Sequence, residues 1–145
     1  MKKIVIFGAT GNVGAYVHKY ACEYFKGKYE VIASGHRQTD FFEKQGQKYV
    51  SVDISNPEEF DKLPQDDVYA VIDLAAQIPS YMKGYQPEKY VKSNIMGAYN
   101  VLEYCRKVHA DRILFSTTVF DISLSATNGA VLKPDMPYNF SYKGD

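Results

Sequence analysis

The sequence predicts an α/β domain with a doubly wound parallel sheet in three α/β/α layers, and three observations carry that prediction. Short apolar runs rich in β-branched residues alternate with longer segments of helical period, the pattern that βαβ units produce. The fourth and fifth runs are mostly apolar, as strands covered on both faces are. Three glycines, Gly8, Gly11 and Gly14, fall where the first run gives way to the first helical segment.

Five strands are expected, at Lys3–Phe7, Tyr29–Ala33, Lys48–Val52, Tyr69–Leu74 and Arg112–Ser116. After the first, a helix opens at Gly11, turns Val13, Val17, Tyr20, Ala21 and Tyr24 inward, and ends near Gly27, a residue suited to a C-terminal cap. Shorter helices are expected over Asp40–Lys44 and Pro57–Lys62, the second with Asn56 as its cap and Pro57 in its first turn. The longest runs from about Pro87 to His109, where Tyr90, Val91, Ile95, Ala98, Val101, Leu102, Cys105 and Val108 recur at three- and four-residue steps and mark a face for the sheet. Right-handed crossovers then give the strand order 3-2-1-4-5. Beyond Ser116 the period dissolves into polar and turn-forming residues. A compact domain does not ordinarily finish on roughly 25 structureless residues, so the tail either folds over a ligand site or leads to an element outside the chain.

The chain has 145 residues, 46% of them apolar, which suits one domain with a genuine core. Lysine plus arginine balance aspartate plus glutamate at 17 each, so no overall field recruits nucleic acid or an anionic membrane, and the expected partner is a small molecule. Cys22 and Cys105 are too few for a disulfide framework and wrongly spaced for zinc. They read as buried free thiols, and no metal is expected. Lys2 and Lys3 before Ile4-Val5-Ile6-Phe7 imitate a secretory leader, but Gly8 and Thr10 break the run at once. No later run approaches the roughly 18 apolar residues of a membrane span, and the expectation is a soluble, cytoplasmic protein.

The strongest motif is Gly8-Ala9-Thr10-Gly11-Asn12-Val13-Gly14, directly after the first strand and opening the first helix. The first glycine permits the strand-to-helix turn, the second lets backbone approach a pyrophosphate, and the third lets the helix pack closely on the strand. The helix N-terminus offers N–H groups and partial positive charge to phosphates. This is the dinucleotide-binding arrangement of Rossmann-type domains. At the end of the second strand, where a carboxylate would hold the ribose 2′-hydroxyl of NAD, the sequence reads Ser34-Gly35-His36-Arg37, with no acid until Asp40. A cation there suits a 2′-phosphate, so NADP is the preferred cofactor. NAD remains the alternative, with Arg37 solvated and Ser34 holding the hydroxyl.

Together these residues resemble the extended short-chain dehydrogenase/reductase family, in its NAD(P)-dependent epimerase/dehydratase group that works on nucleotide sugars. Val52-Asp53-Ile54 is similar to that group's adenine-contacting pair, and Leu74-Ala75-Ala76 to the fourth-strand end beside the cofactor. Asn94-Ile95-Met96-Gly97-Ala98-Tyr99-Asn100-Val101-Leu102-Glu103 resembles its central helix, and Arg112–Phe120 the strand that carries a catalytic serine or threonine. The resemblance implies that Asp53 accepts from the adenine amino group, with capping of the next turn as the alternative, and that Ala75 and Ala76 line the ribose and nicotinamide side. Asn94, poor in helix propensity, is read as hydrogen-bonding to neighbouring backbone. Counting from Arg112 makes Thr118 the catalytic hydroxyl, counting back from Val119-Phe120 makes it Ser116, and Thr117 lies between; Thr118 is preferred.

The family's Tyr-x-x-x-Lys pair, whose lysine lowers the tyrosine pKa for proton exchange, has no counterpart in place. Tyr24/Lys28 and Tyr85/Lys89 fall on other elements, and the fourth neighbour of Tyr142 would lie beyond Asp145. The expectation is an N-terminal cofactor-binding part of a longer oxidoreductase or isomerase, inactive alone, with possible homodimer pairing through the Pro87–His109 helix by resemblance. The competing reading is a non-catalytic NAD(P)-binding regulatory or redox-sensing module. A third, an interaction domain presenting its 13 tyrosines, is weaker, because many of them read as inward-facing.

Overall fold

The structure, a computed structural model, describes residues 1–78, 84, 86–117, 131, 133, 135 and 136. The chain divides into two units, Met1–Phe115 and Ser116–Asp145. The first unit carries the sheet: β1 (Lys3–Phe7), β2 (Glu30–Gly35), β3 (Lys48–Ser51), β4 (Val68–Asp73) and β5 (Arg112–Phe115), all parallel in the order β3-β2-β1-β4-β5. Both the order and the strand positions follow the sequence reading to within two residues. In the second unit the Met136 N–H donates to the Lys133 carbonyl at 3.2 Å.

Strand β1 shows why there are three layers. Its side chains alternate, so Val5 and Phe7 enter a core with Val52, Ile54, Phe60, Val71, Val101 and Tyr104. Ile4 and Ile6 enter another on the opposite face, with Ala21, Val31, Ala33 and Phe42. Each fully buried side chain of this size contributes about 1.5–3 kcal/mol, which is why a five-residue strand of apolar residues settles at the centre.

Helix α1 (Asn12–Tyr24) opens after Gly11, its N-cap, as expected, but the inward stripe is corrected. Gly14, His18 and Ala21 are buried, whereas Val13 is 62% and Tyr24 83% exposed, with Tyr20 also outside. The close approach of Gly14 to the turn below rotates the helix, so the buried line runs 14-18-21 and Val17 is only half covered. The end is also corrected: Phe25 caps the helix, its N–H donating to the Ala21 carbonyl. Gly27, at φ +74°, turns the chain toward β2.

Asp40–Lys44 is not a helix; a single 3-10 turn, Glu43–Gln45, stands there, with Gly46 left-handed behind it. Pro57–Lys62 forms a 3-10 helix, with Pro57 at its start and the Asn56 side chain accepting from the Glu58 N–H at 3.2 Å.

The long helix is three consecutive segments, α2 (Pro87–Tyr90), a π-helical stretch Val91–Met96, and α3 (Gly97–Lys107). The π-helical stretch shifts the helical period, and only Val101 and Val108 of the expected face are buried, together with Gly97, Asn100 and Tyr104. Val91, Ile95 and Leu102 are exposed. His109, left-handed at φ 52°, ends the helix, with the Ala110 N–H returning to the Cys105 carbonyl.

Strand β5 is exposed along its length, against the expectation of cover on both faces. Among the described residues it is the edge of the sheet and pairs only with β4. Cys22 and Cys105 are free and partly buried rather than buried. Tyr20 and Tyr24 are exposed, which corrects their inward reading, and Tyr16 and Tyr99 are exposed as well.

Candidate functional site

The sheet reverses direction of growth at β1, which lies between β2 and β4. In open α/β sheets that switch opens a crevice at the carboxyl ends of the strands. The glycine turn sits there. Gly8 is left-handed at φ +76°, and a Cβ on it would lie 2.7 Å from the Leu74 carbonyl carbon and 2.8 Å from the Ala75 nitrogen. A Cβ on Gly14 would lie 2.0 Å from the Gly8 carbonyl oxygen. No other residue lets helix, turn and β4 end come this close. Gly11 is less constrained, its would-be Cβ 3.2 Å from the same oxygen.

The start of α1 has no side-chain cap and no acid in its first turn. The N–H groups of Asn12, Val13 and Gly14 are the ones a helix leaves without partners, and Gly11, Asn12 and Val13 are exposed. On either side of them the Gly11 N–H donates to the Gly8 carbonyl at 2.9 Å and the Ala15 N–H to the Gly11 carbonyl at 3.0 Å. Unpaired donors, the positive end of the helix dipole and an open glycine surface fit an anionic phosphate group.

Thr10 packs over the end of β2, since a Cβ on Gly35 would be 2.8 Å from its Oγ1. His36 and Arg37 follow directly and are exposed. The Tyr49 hydroxyl, on neighbouring β3, donates to the Gly35 carbonyl at 2.8 Å and also contacts the Arg37 carbonyl. Burial pushes the Tyr49 phenol up, which keeps it a donor. Ser34 is buried, and its hydroxyl has no hydrogen-bond partner among the described residues.

After β3, Asp53 is exposed and caps its own turn: Oδ1 accepts from the Ser55 N–H at 2.9 Å and from the Ser55 hydroxyl at 2.8 Å. Ile54 is buried against Gly97, whose would-be Cβ lies 2.6 Å from Ile54 Cδ1, and Asn100 donates to the Ile54 carbonyl at 2.8 Å. After β4, Asn94 holds the chain by both faces of its amide, accepting from the Gln77 N–H at 2.7 Å and donating to the Gln77 carbonyl at 2.9 Å. Its duty to backbone is therefore real, across 17 residues of sequence. Leu74 and Ala75 are half-buried and Ala76 exposed.

Ser116 and Thr117 follow β5 and are exposed; Thr118, Tyr85 and Tyr142 lie outside the described residues. A separate groove of about 600 Å³ between α1 and residues 41–47 includes His18, Cys22 and Phe42 but none of the glycine turn. Among the described residues no three His, Cys, Asp or Glu side chains come together to hold a metal. No helix among them is long and apolar enough to cross a membrane.

The sequence reading missed Tyr49, Gly97, Asn100 and Asp73. Tyr49 and Asn100 act through backbone carbonyls, and Gly97 through the space it leaves for the Ile54 side chain, all brought near only by folding; Asn100, polar on a buried line with Gly97, Val101 and Tyr104, was the one visible signal. Asp73 read as part of a strand, yet it is 2% exposed, its Oδ1 accepting from the Ala75 N–H at 3.0 Å.

A family model described as the NAD dependent epimerase/dehydratase family matches residues 4–141. The NAD complex of UDP-glucose 4-epimerase from Thermus thermophilus superposes with a TM-score of 0.73 at 21% identity, over 94% of this chain and 44% of that one. UDP-glucuronic acid 4-epimerase from Bacillus cereus, a mutant bound to NAD and a fluorinated UDP-sugar, gives 0.71 at 25% identity over 94% and 46%. A curated relative, an uncharacterized protein of Methanocaldococcus jannaschii, is 19% identical over 129 residues, 81% of this chain and 40% of its own length. The chain thus spans less than half the length of each of these proteins.

Proposed function

This chain belongs to the NAD-dependent epimerase/dehydratase family, and on that premise we propose that it forms the cofactor-binding half of an enzyme that moves hydride to and from a nucleotide sugar or similar hydroxyl or carbonyl substrate. The observation that carries this reading is the glycine turn: backbone too close for any side chain, set against an uncapped helix N-terminus at the switch point of the sheet. Bound there, a nicotinamide dinucleotide supplies the hydride acceptor and donor.

The chain's own residues bind and orient. The first-turn N–H groups of α1 neutralise the pyrophosphate, with Gly8, Thr10, Gly11, Asn12, Val13 and Gly14 forming its cradle. Asp53, held by Ser55, offers its remaining lone pairs to the adenine amino group, with Ile54 beneath it. Leu74, Ala75 and Ala76 line the ribose side, and Asn94 fixes their loop through Gln77. Thr118, with Ser116 and Thr117 as alternates, donates a hydrogen bond to the reacting substrate oxygen. Arg37, with His36, lies where the adenosine ribose ends and favours NADP, because a guanidinium takes a 2′-phosphate by paired hydrogen bonds. The exposed apolar line Val91, Ile95, Leu102 on the long helix supports pairing with a second copy.

Titration of the chain with NADPH and NADH, followed by nicotinamide fluorescence, tests the reading. The expected result is binding of both, NADPH tighter by about tenfold or more, and loss of that preference in Arg37→Ala, since a charge-assisted pair contributes about 1.5–3 kcal/mol. Binding of neither overturns the cofactor assignment. NADH binding more tightly, unaffected by Arg37→Ala, overturns the NADP preference alone.

A further inference from the structure

Asp73 ends β4 in register with Phe7 of β1 and Phe115 of β5. Its Oδ1 holds the Ala75 N–H, and its Oδ2 is buried with no hydrogen-bond partner among the described residues. The peptide it holds is the one Gly8 turns against, 2.7–2.8 Å from where a Cβ would stand. A carboxylate has about four lone-pair sites to satisfy, and here only one donor is given. A buried charge so poorly paired either keeps its proton or forces the strand end to open to water.

We propose that Asp73 is a positioning residue for the cofactor site and acts as a neutral acid: its Oδ1 clamps the Leu74–Ala75 peptide beneath the glycine turn, and its unpartnered Oδ2 makes the clamp depend on a proton. The inference rests on the cofactor reading above and deepens it. The surroundings agree. Burial pushes the Asp73 carboxyl up, and the Ala75 N–H pulls it only partly back. In register, β1 and β5 offer it only phenylalanines. From α3 comes Cys105, its thiol pushed up to about 11 by burial first and by Asp73 second. Among the described residues no lysine, arginine or histidine acts on its titration.

The sign follows from the raised value. Below the ordinary aspartate range the carboxyl is protonated in folded and unfolded chains alike, and the clamp is fully closed. As pH rises through the raised folded value the charged form appears, the strand end opens, and affinity for the dinucleotide falls, at most about tenfold per pH unit for one proton. Asp73→Asn keeps the acceptor for Ala75 and carries no charge at any pH.

The test measures NADH and NADPH affinity and the urea unfolding midpoint from pH 4.5 to 8, for the whole chain and for Asp73→Asn. The expected result is that wild-type affinity and midpoint both decline with rising pH more steeply than those of the variant. Parallel pH profiles in wild type and variant overturn the proposal. If neither dinucleotide binds at any pH, the cofactor reading fails, and the clamp is judged by the urea midpoints alone. Should the variant not fold, amide exchange at Ala75 in the wild type decides: protection that falls with pH, after correction for the intrinsic rate, supports the clamp, and constant protection refutes it.

Discussion

Replacing Gly14 by alanine isolates the feature on which the site depends. The added Cβ would stand 2.0 Å from the Gly8 carbonyl oxygen, 2.7 Å from its carbon and 2.9 Å from Ala9 Cα. An ordinary carbon–oxygen contact is about 3.3 Å, so the turn must retreat by roughly 1.3 Å. All three neighbours are backbone, and no rotamer change relieves the clash. Overpacking costs about 1–3 kcal/mol, and the rigid neighbours place this case at the upper end. Alanine returns up to about 1 kcal/mol of helix propensity, leaving a loss of about 2 kcal/mol. For a chain of this length that is a fall in Tm of about 6–8 °C, read by circular dichroism. Dinucleotide affinity, read by nicotinamide fluorescence, falls further, because the displaced turn is the phosphate cradle itself. Gly27→Ala is the control: nothing lies within 4 Å, but φ is +74°, so about 1–2 kcal/mol of left-handed strain appears without any change in affinity. A Gly14→Ala chain with wild-type Tm and wild-type affinity would refute the packing argument.

Asn94→Ala removes both bonds to Gln77; at about 0.5–1.5 kcal/mol each, less for their exposure, the expected loss is about 1 kcal/mol, with amide exchange at Gln77 at least fivefold faster. Unchanged exchange there would show that the loop is held by something else. His18 is buried and desolvation holds its pKa below the ordinary value of about 6.5. The depressed value favours the neutral ring, so its contribution is full above about 6.5 and is lost as pH falls through the folded value. Urea midpoints between pH 7 and 5 should fall for the wild type and flatten for His18→Phe, and identical slopes would dismiss the assignment. Leu102→Glu, placed on the exposed line of α3, is expected to leave the unfolding free energy within about 0.5 kcal/mol of wild type while abolishing any dimer seen by sedimentation; a dimer that survives lies on another face.

Local physics made much of this protein legible without coordinates. The alternation of short apolar runs with helical segments, a glycine triplet at a strand-to-helix turn, and Asn56-Pro57 as a helix start are each set by neighbours in sequence, and each stands where the sequence placed it. Strand order followed because right-handed crossovers leave few alternatives. The helix faces were not legible to the same degree. The rotation of α1 is set by contact between Gly14 and Gly8, and the face of the long helix by a π-helical stretch whose Asn94 reaches back to Gln77. Periodicity alone, blind to both contacts, chose Val13 and Leu102 as inward residues. The same limit hid Asp73 and Asn100, whose partners lie across a turn or 46 residues away. Apolar periodicity is a sum over many residues and survives in one dimension, whereas a buried polar atom acquires its meaning from one partner, and that partner is chosen only when the chain has closed around it.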